Sequence, residues 1–140
     1  KFIVQKDEKE KDYRKVLNLG HTFAHAYEAT LGYSKRLNHG EAVLLGINTA
    51  LRFSLKNQLL KNNEYDLILK HFDNANLPSN IKKNFSINHL NRILSFMLKD
   101  KKNYSNKINL ILLRRIGLPI INRTYNLKNL KTFLKQELSN

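Results

Sequence analysis

From Val16 to Leu55 apolar residues return every three or four positions, with one interruption at Gly32-Tyr33. That period belongs to the α-helix, so the stretch is committed to two consecutive helices rather than to strands. Val16, Leu17, Phe23, Ala24, Tyr27 and Leu31 mark the inward face of the first. Acids between Asp7 and Asp12 suit its start, beside the positive end of the helix dipole, and Gly32 suits its end. The second helix is expected over 39–58. Its first half carries little polar surface and should be buried, while Arg52, Lys56 and Gln58 bring the second half to solvent.

The polar residues set into this pattern are chemically able ones. His21 and His25 lie four apart, hence on one helix face, and His39 opens the next helix. Neutral imidazole is the commonest zinc ligand, and a catalytic zinc takes three protein ligands plus an open position. The residues alone therefore offer His21, His25 and His39 as a ligand set; the bland alternative is ordinary packing of a histidine pair. The spacing is not H-E-x-x-H, so no general-base Glu stands between the ligands as in a metalloprotease. Arg14 and Asn18, two turns and one turn before His21, form with His25 a row of donors suited to phosphate or carboxylate. Glu10 reads as a base or as a helix-start acid. Glu41 reads as a helix-start acid or as an orienter of His39, with Glu28 also close by. Asp100-Lys101-Lys102 is, by spacing, a charged helix end.

Further along, a third helix fits 63–72 and is closed by Leu77-Pro78. Ser86 can cap a fourth, with Ile87, Leu90, Ile93, Leu94 and Met97 inward as far as Lys99. The β-branched run 107–113 is the best strand candidate, 120–123 a weaker second, and Asn126 can cap a last helix over 127–138. The fold class is mainly α: one compact domain of about five helices with one short strand or hairpin.

Twenty-five Lys and Arg against 11 acids give a net charge of +14. Such charge draws phosphate backbones, but it is scattered rather than striped, and no nucleic-acid motif accompanies it, so no specific nucleic-acid partner is expected. No apolar run has membrane-spanning length, so no membrane partner is expected. The absence of Cys excludes disulfides and thiolate metal sites and suits a cytoplasmic setting. The start, Lys1-Phe2-Ile3-Val4, has neither an initiating Met nor a secretory apolar core, and reads as a piece of a longer polypeptide.

The motifs K-D-E-K-E (6–10), N-L-G-H-T-F-A-H-A-Y-E (18–28), L-N-H-G-E-A-V (37–43), D-K-K (100–102) and K-I-N-L-I-L-L (107–113) together resemble the C-terminal domain of 3-dehydroquinate synthase. The resemblance covers essentially the whole chain, with its diagnostic part in residues 7–46. It implies that residues 1–140 are a helical metal- and substrate-binding domain whose NAD-binding N-terminal partner lies outside this chain. It implies zinc or cobalt and NAD as cofactors, and conversion of 3-deoxy-D-arabino-heptulosonate 7-phosphate to 3-dehydroquinate and phosphate in the shikimate route to aromatic amino acids. The family's route is transient alcohol oxidation, phosphate elimination, re-reduction, ring opening and aldol closure. A cytoplasmic homodimeric lyase is expected, inactive as this fragment alone.

Carried onto this sequence, the resemblance makes His21 and His39 the metal ligands and gives His25 to proton transfer beside the substrate phosphate. Glu10 matches a proton acceptor. Arg14, Asn18 and Lys102, with Lys101 beside it, match substrate contacts. A third ligand, a Glu, and a further substrate Lys are expected upstream of Lys1. Ala24 and Tyr27 stand where Gly and Ile are usual, and Asp12-Tyr13 where Gly-Leu is. Asn38 is an added residue before His39, where a slight shift of that ligand is expected. Two rivals remain: a related sugar-phosphate cyclase or metal-dependent polyol dehydrogenase on the same fold, and a basic helical module for nucleic acid or a protein partner.

Overall fold

A computed structural model describes residues 18–99 and 106–139. Five α-helices occur among them: α1 (His21–Thr30), α2 (His39–Lys56), α3 (Asn62–Asn74), α4 (Leu90–Leu98) and α5 (Leu127–Ser139). Short 3-10 turns at Ile81–Lys83 and Ile87–His89 lead into α4. Between α4 and α5 an antiparallel hairpin pairs β1 (Lys107–Arg115) with β2 (Leu118–Asn126). The mainly helical class expected from periodicity, with a hairpin, is what the chain adopts. No helix of the described residues is long and apolar enough to cross a membrane.

The core lies where α1 packs on α2 and α4, β1 lies on α2, and α5 closes over α4 and β2. Phe23, Tyr27, Leu45, Phe53, Ile93, Met97, Ile108, Leu110, Leu112, Leu130 and Leu134 fill it. Each such side chain contributes roughly 1.5–3 kcal/mol by leaving water. The alternation of β1 puts Ile108, Leu110 and Leu112 on that core, and Gly117, at φ 86°, makes the hairpin turn. The β1 edge is also tied to α2 by polar contact. Leu113 N–H donates to Ser54 Oγ at 3.1 Å, while Ser54 Oγ–H donates to Ala50 O.

The helix starts follow cap chemistry. Asn38 Oδ1 accepts from Glu41 N–H at 2.8 Å and Glu41 Oε1 accepts from Asn38 N–H at 3.1 Å, a reciprocal cap at the head of α2. Glu41 is thus a helix-start acid, and Asn38 is the cap itself. Ser86 caps the turn before α4, and Asn126 caps α5 through Lys128 N–H.

The first helix departs from expectation. Periodicity extends it back to the acids at 7–12, but among the described residues α-helix begins only at His21, preceded by a turn at 18–20. Gly20 sits at φ 80° and lies against α2: a Cβ there would be 2.4 Å from Ile47 N. Reciprocally, a Cβ on Gly46 would lie 2.3 Å from Gly20 O and 2.9 Å from Ala24 N. Two backbones touch here, which overrides the helical period.

Two polar threads run through the core. Thr49 Oγ1 donates its one hydrogen to Leu45 O at 2.8 Å, so the 2.7 Å contact with Tyr27 has the tyrosine donating. Burial pushes the Tyr27 hydroxyl well above its ordinary range. Tyr65 OH donates to Asn48 Oδ1, and Asn48 Nδ2 donates to Ser79 O at 2.7 Å. At the far end of α2 the Arg52 guanidinium grips both carboxylate oxygens of Glu137, anchoring α5.

Gly46→Ala should cost about 1–3 kcal/mol or more, because backbone has to move. Gly32→Ala, where nothing lies within 4 Å, should cost only the strain of its φ of 67°. Thermal melts of both variants measure the difference. Because Tyr27 stays neutral when folded but ionises at 10.0 when unfolded, stability should be full below that pH and fall as pH rises above it. Tyr27→Phe should flatten that alkaline decline in denaturant titrations.

Candidate metal and substrate site

The crossing of α1 and α2 gathers the histidines. His21 is the first residue of α1 and half-buried; His25 follows one turn later, exposed; His39 is the first residue of α2, exposed. The ring centroids of His21 and His25 are 5.7 Å apart, and those of His21 and His39 are 6.4 Å apart. With Zn–N bonds of about 2.1 Å, two imidazoles on one tetrahedral ion have centroids about 5 Å apart. Both pairs are therefore close to that separation.

Two details of these rings bear on ion binding. His21 Nδ1 is buried without a hydrogen-bond partner, an arrangement that costs stability unless something else satisfies it. His39 Nδ1 lies 3.1 Å from Glu28 Oε1, which leaves Nε2 as its available nitrogen. Among the described residues no group of three or more His, Asp or Glu side chains is placed to hold a metal by itself. The three-histidine set offered by the residues alone is therefore not assembled. Two imidazoles that need a ligand from elsewhere fit the geometry.

Asn18 lies in the turn three residues before His21, half-buried. It is not on a continuous helix with His21 and His25, because Gly20 breaks the helix between them. Glu10, Arg14, Lys101 and Lys102 lie outside the described residues. The other two histidines are elsewhere. His89 Nδ1 accepts from Ser86 N–H at 3.0 Å in a cap, and His71 is exposed near the end of α3.

Glu28 is the site residue that sequence reasoning left without a role. It follows His21 by seven residues and His25 by three, so one face of α1 carries all three. A separate cavity of about 290 Å³ lies toward the other end of α2, lined by Asn48, Arg52, Tyr65, Ser79, Lys82 and Glu137. The histidines do not line it.

Comparison with known proteins bears on this arrangement. Residues 1–103 match the family model described as 3-dehydroquinate synthase C-terminal. The chain belongs to that family.

Members with curated names extend the likeness along the whole chain. It is similar to the 3-dehydroquinate synthase of Pelagibacter ubique, 57% identical over 139 residues and 99% of the chain. It is also similar to those of Bradyrhizobium diazoefficiens and Zymomonas mobilis, each 36% identical over 98% and 99% of the chain. The chain spans 38%, 37% and 37% of the length of these three synthases. A crystal structure of 2-deoxy-scyllo-inosose synthase complexed with carbaglucose-6-phosphate, NAD+ and Co2+ shares the fold. It matches with a TM-score of 0.69 and 20% identity over 91% of this chain and 35% of that one.

Asn38→Ala removes the cap that starts α2 one residue before His39. It should lower stability by about 1 kcal/mol, and Asn38→Gly by only a few tenths, as read from denaturant midpoints.

Proposed function

We propose that this chain supplies the metal- and substrate-binding part of a 3-dehydroquinate synthase, a cytoplasmic homodimeric lyase whose NAD-binding part lies outside these residues. The reaction converts 3-deoxy-D-arabino-heptulosonate 7-phosphate to 3-dehydroquinate and phosphate. The observation that carries the reading is the meeting of His21, His25 and His39 at one helix crossing, in a chain 57% identical to a synthase of that name.

In this reading His21 and His39 hold a divalent ion, zinc or cobalt, with a Glu from outside the chain. Bound there, the ion supplies Lewis-acid polarisation of a substrate oxygen, and NAD supplies reversible hydride exchange. His25 is exposed one turn beyond His21, and it serves as the proton-transfer partner beside the substrate's phosphate. Its place on a helix, rather than on a loop, fixes it relative to the ligand His21. Arg14, Asn18, Lys101 and Lys102 hold the anionic ends of the substrate, and Glu10 accepts a proton. Charged donors of this kind suit phosphate and carboxylate, and holding both ends pre-orients the sugar acid.

The full-length polypeptide, supplied with NAD and Co2+ or Zn2+, should release inorganic phosphate from the heptulosonate phosphate and not from glucose 6-phosphate. His21→Ala with His39→Ala should lower that rate at least about 100-fold and strip the metal. Phosphate release from glucose 6-phosphate alone would move the assignment to a related cyclase. Undiminished activity and metal content in the double variant would overturn it.

A further inference from the structure

Glu28 stands against the local field. It lies in the last turn of α1, where the helix dipole disfavours a negative charge, and its side chain is only 14% exposed. The backbone beneath it is fixed: Glu28 O accepts from Tyr33 N–H at 2.8 Å, Gly32 N–H donates to Ala29 O, and Tyr27, Ala29 and Thr30 are buried. A carboxylate held on so rigid a platform, mostly out of water and at the wrong end of a helix, is offset by a specific partner. That partner is His39, 3.1 Å away at Nδ1.

The needs of His39 are complementary. It is the first residue of α2 and its side chain is 65% exposed, so packing does not settle its ring orientation. An imidazole ligates through a nitrogen that carries a lone pair. Which nitrogen that is depends on the hydrogen bond made by the other one. When Nδ1–H donates to Glu28, the lone pair sits on Nε2 and the ring is aimed.

We propose that Glu28 is a positioning residue of the metal centre: it selects the Nε2-ligating tautomer of His39 and holds the ring toward His21. One face of α1 then presents in sequence a ligand (His21), a proton carrier (His25) and the carboxylate that sets the second ligand on α2. The inference rests on the reading of His39 as a ligand.

The test measures divalent-metal affinity of the full-length protein by chelator competition with Zn2+, for the parent, Glu28→Gln, Glu28→Ala, His39→Ala and the Glu28→Gln/His39→Ala pair. The melting temperature of each metal-free protein is taken alongside. Glu28→Ala should weaken binding about 10- to 100-fold. Glu28→Gln, whose amide oxygen still accepts from Nδ1–H, should weaken it less, and metal-free melting temperatures should barely move. In the His39→Ala background the Glu28 substitution should cost no further affinity. If that background binds too weakly to titrate, the graded order of the single variants at constant melting temperature decides. Unchanged affinity in His39→Ala would remove the ligand reading itself. Weak binding in His39→Ala with parental affinity in Glu28→Ala would overturn the role of Glu28 alone. An affinity loss that tracks a lower melting temperature, or persists undiminished without His39, would show only a structural effect.

Discussion

Where α1 begins, the carbonyl of Gly20 lies so close to Gly46 that a methyl group on the latter would stand 2.3 Å from the oxygen. Helices separated by ordinary side chains run 8–10 Å apart. Here two glycines remove the side chains and let backbone meet backbone. His21 follows Gly20 directly and His39 lies seven residues before Gly46, so the contact sets how closely the two helices that carry these imidazoles approach. The left-handed turn at Gly20 also redirects the chain, so Asn18 precedes His21 in a turn rather than along a helix face.

The rest of the domain keeps that crossing rigid. α2 is the spine: its buried Thr49 receives the Tyr27 hydroxyl from α1, its Ser54 receives an amide of β1, and its Arg52 clasps Glu137 of α5. A buried polar group without a partner would cost about 1–3 kcal/mol, so the buried Tyr27–Thr49 and Leu113–Ser54 bonds discriminate against a slipped packing as well as stabilising the native one. The reciprocal Asn38–Glu41 cap fixes the end of α2 that carries His39.

Much of this was legible in the sequence, for identifiable reasons. Periodicity located α2, α3, α4 and α5 to within a few residues, because their apolar faces pack against one core. The β-branched run marked β1, and Asn126 marked the head of α5. The start of α1 was not legible, since the close approach of Gly20 to Gly46 joins residues 26 positions apart and leaves no trace in local pattern. Nor were Asn48, Thr49 and Ser54 read as buried polar links, because their partners, Ser79, Tyr27 and Leu113, belong to other segments. At the site the three histidines announced themselves by type and spacing. Glu28 did not, since its bond to His39 depends on how the turn at 31–38 closes.

The central claim is that His21 and His39 grip one ion beside the crossing. A crystal structure of the full-length protein loaded with Zn2+, with anomalous scattering recorded across the zinc edge, tests it most directly. The account predicts one anomalous peak about 2.1 Å from a ring nitrogen of both His21 and His39. A peak held by other residues, with either ring beyond about 4 Å, would contradict it.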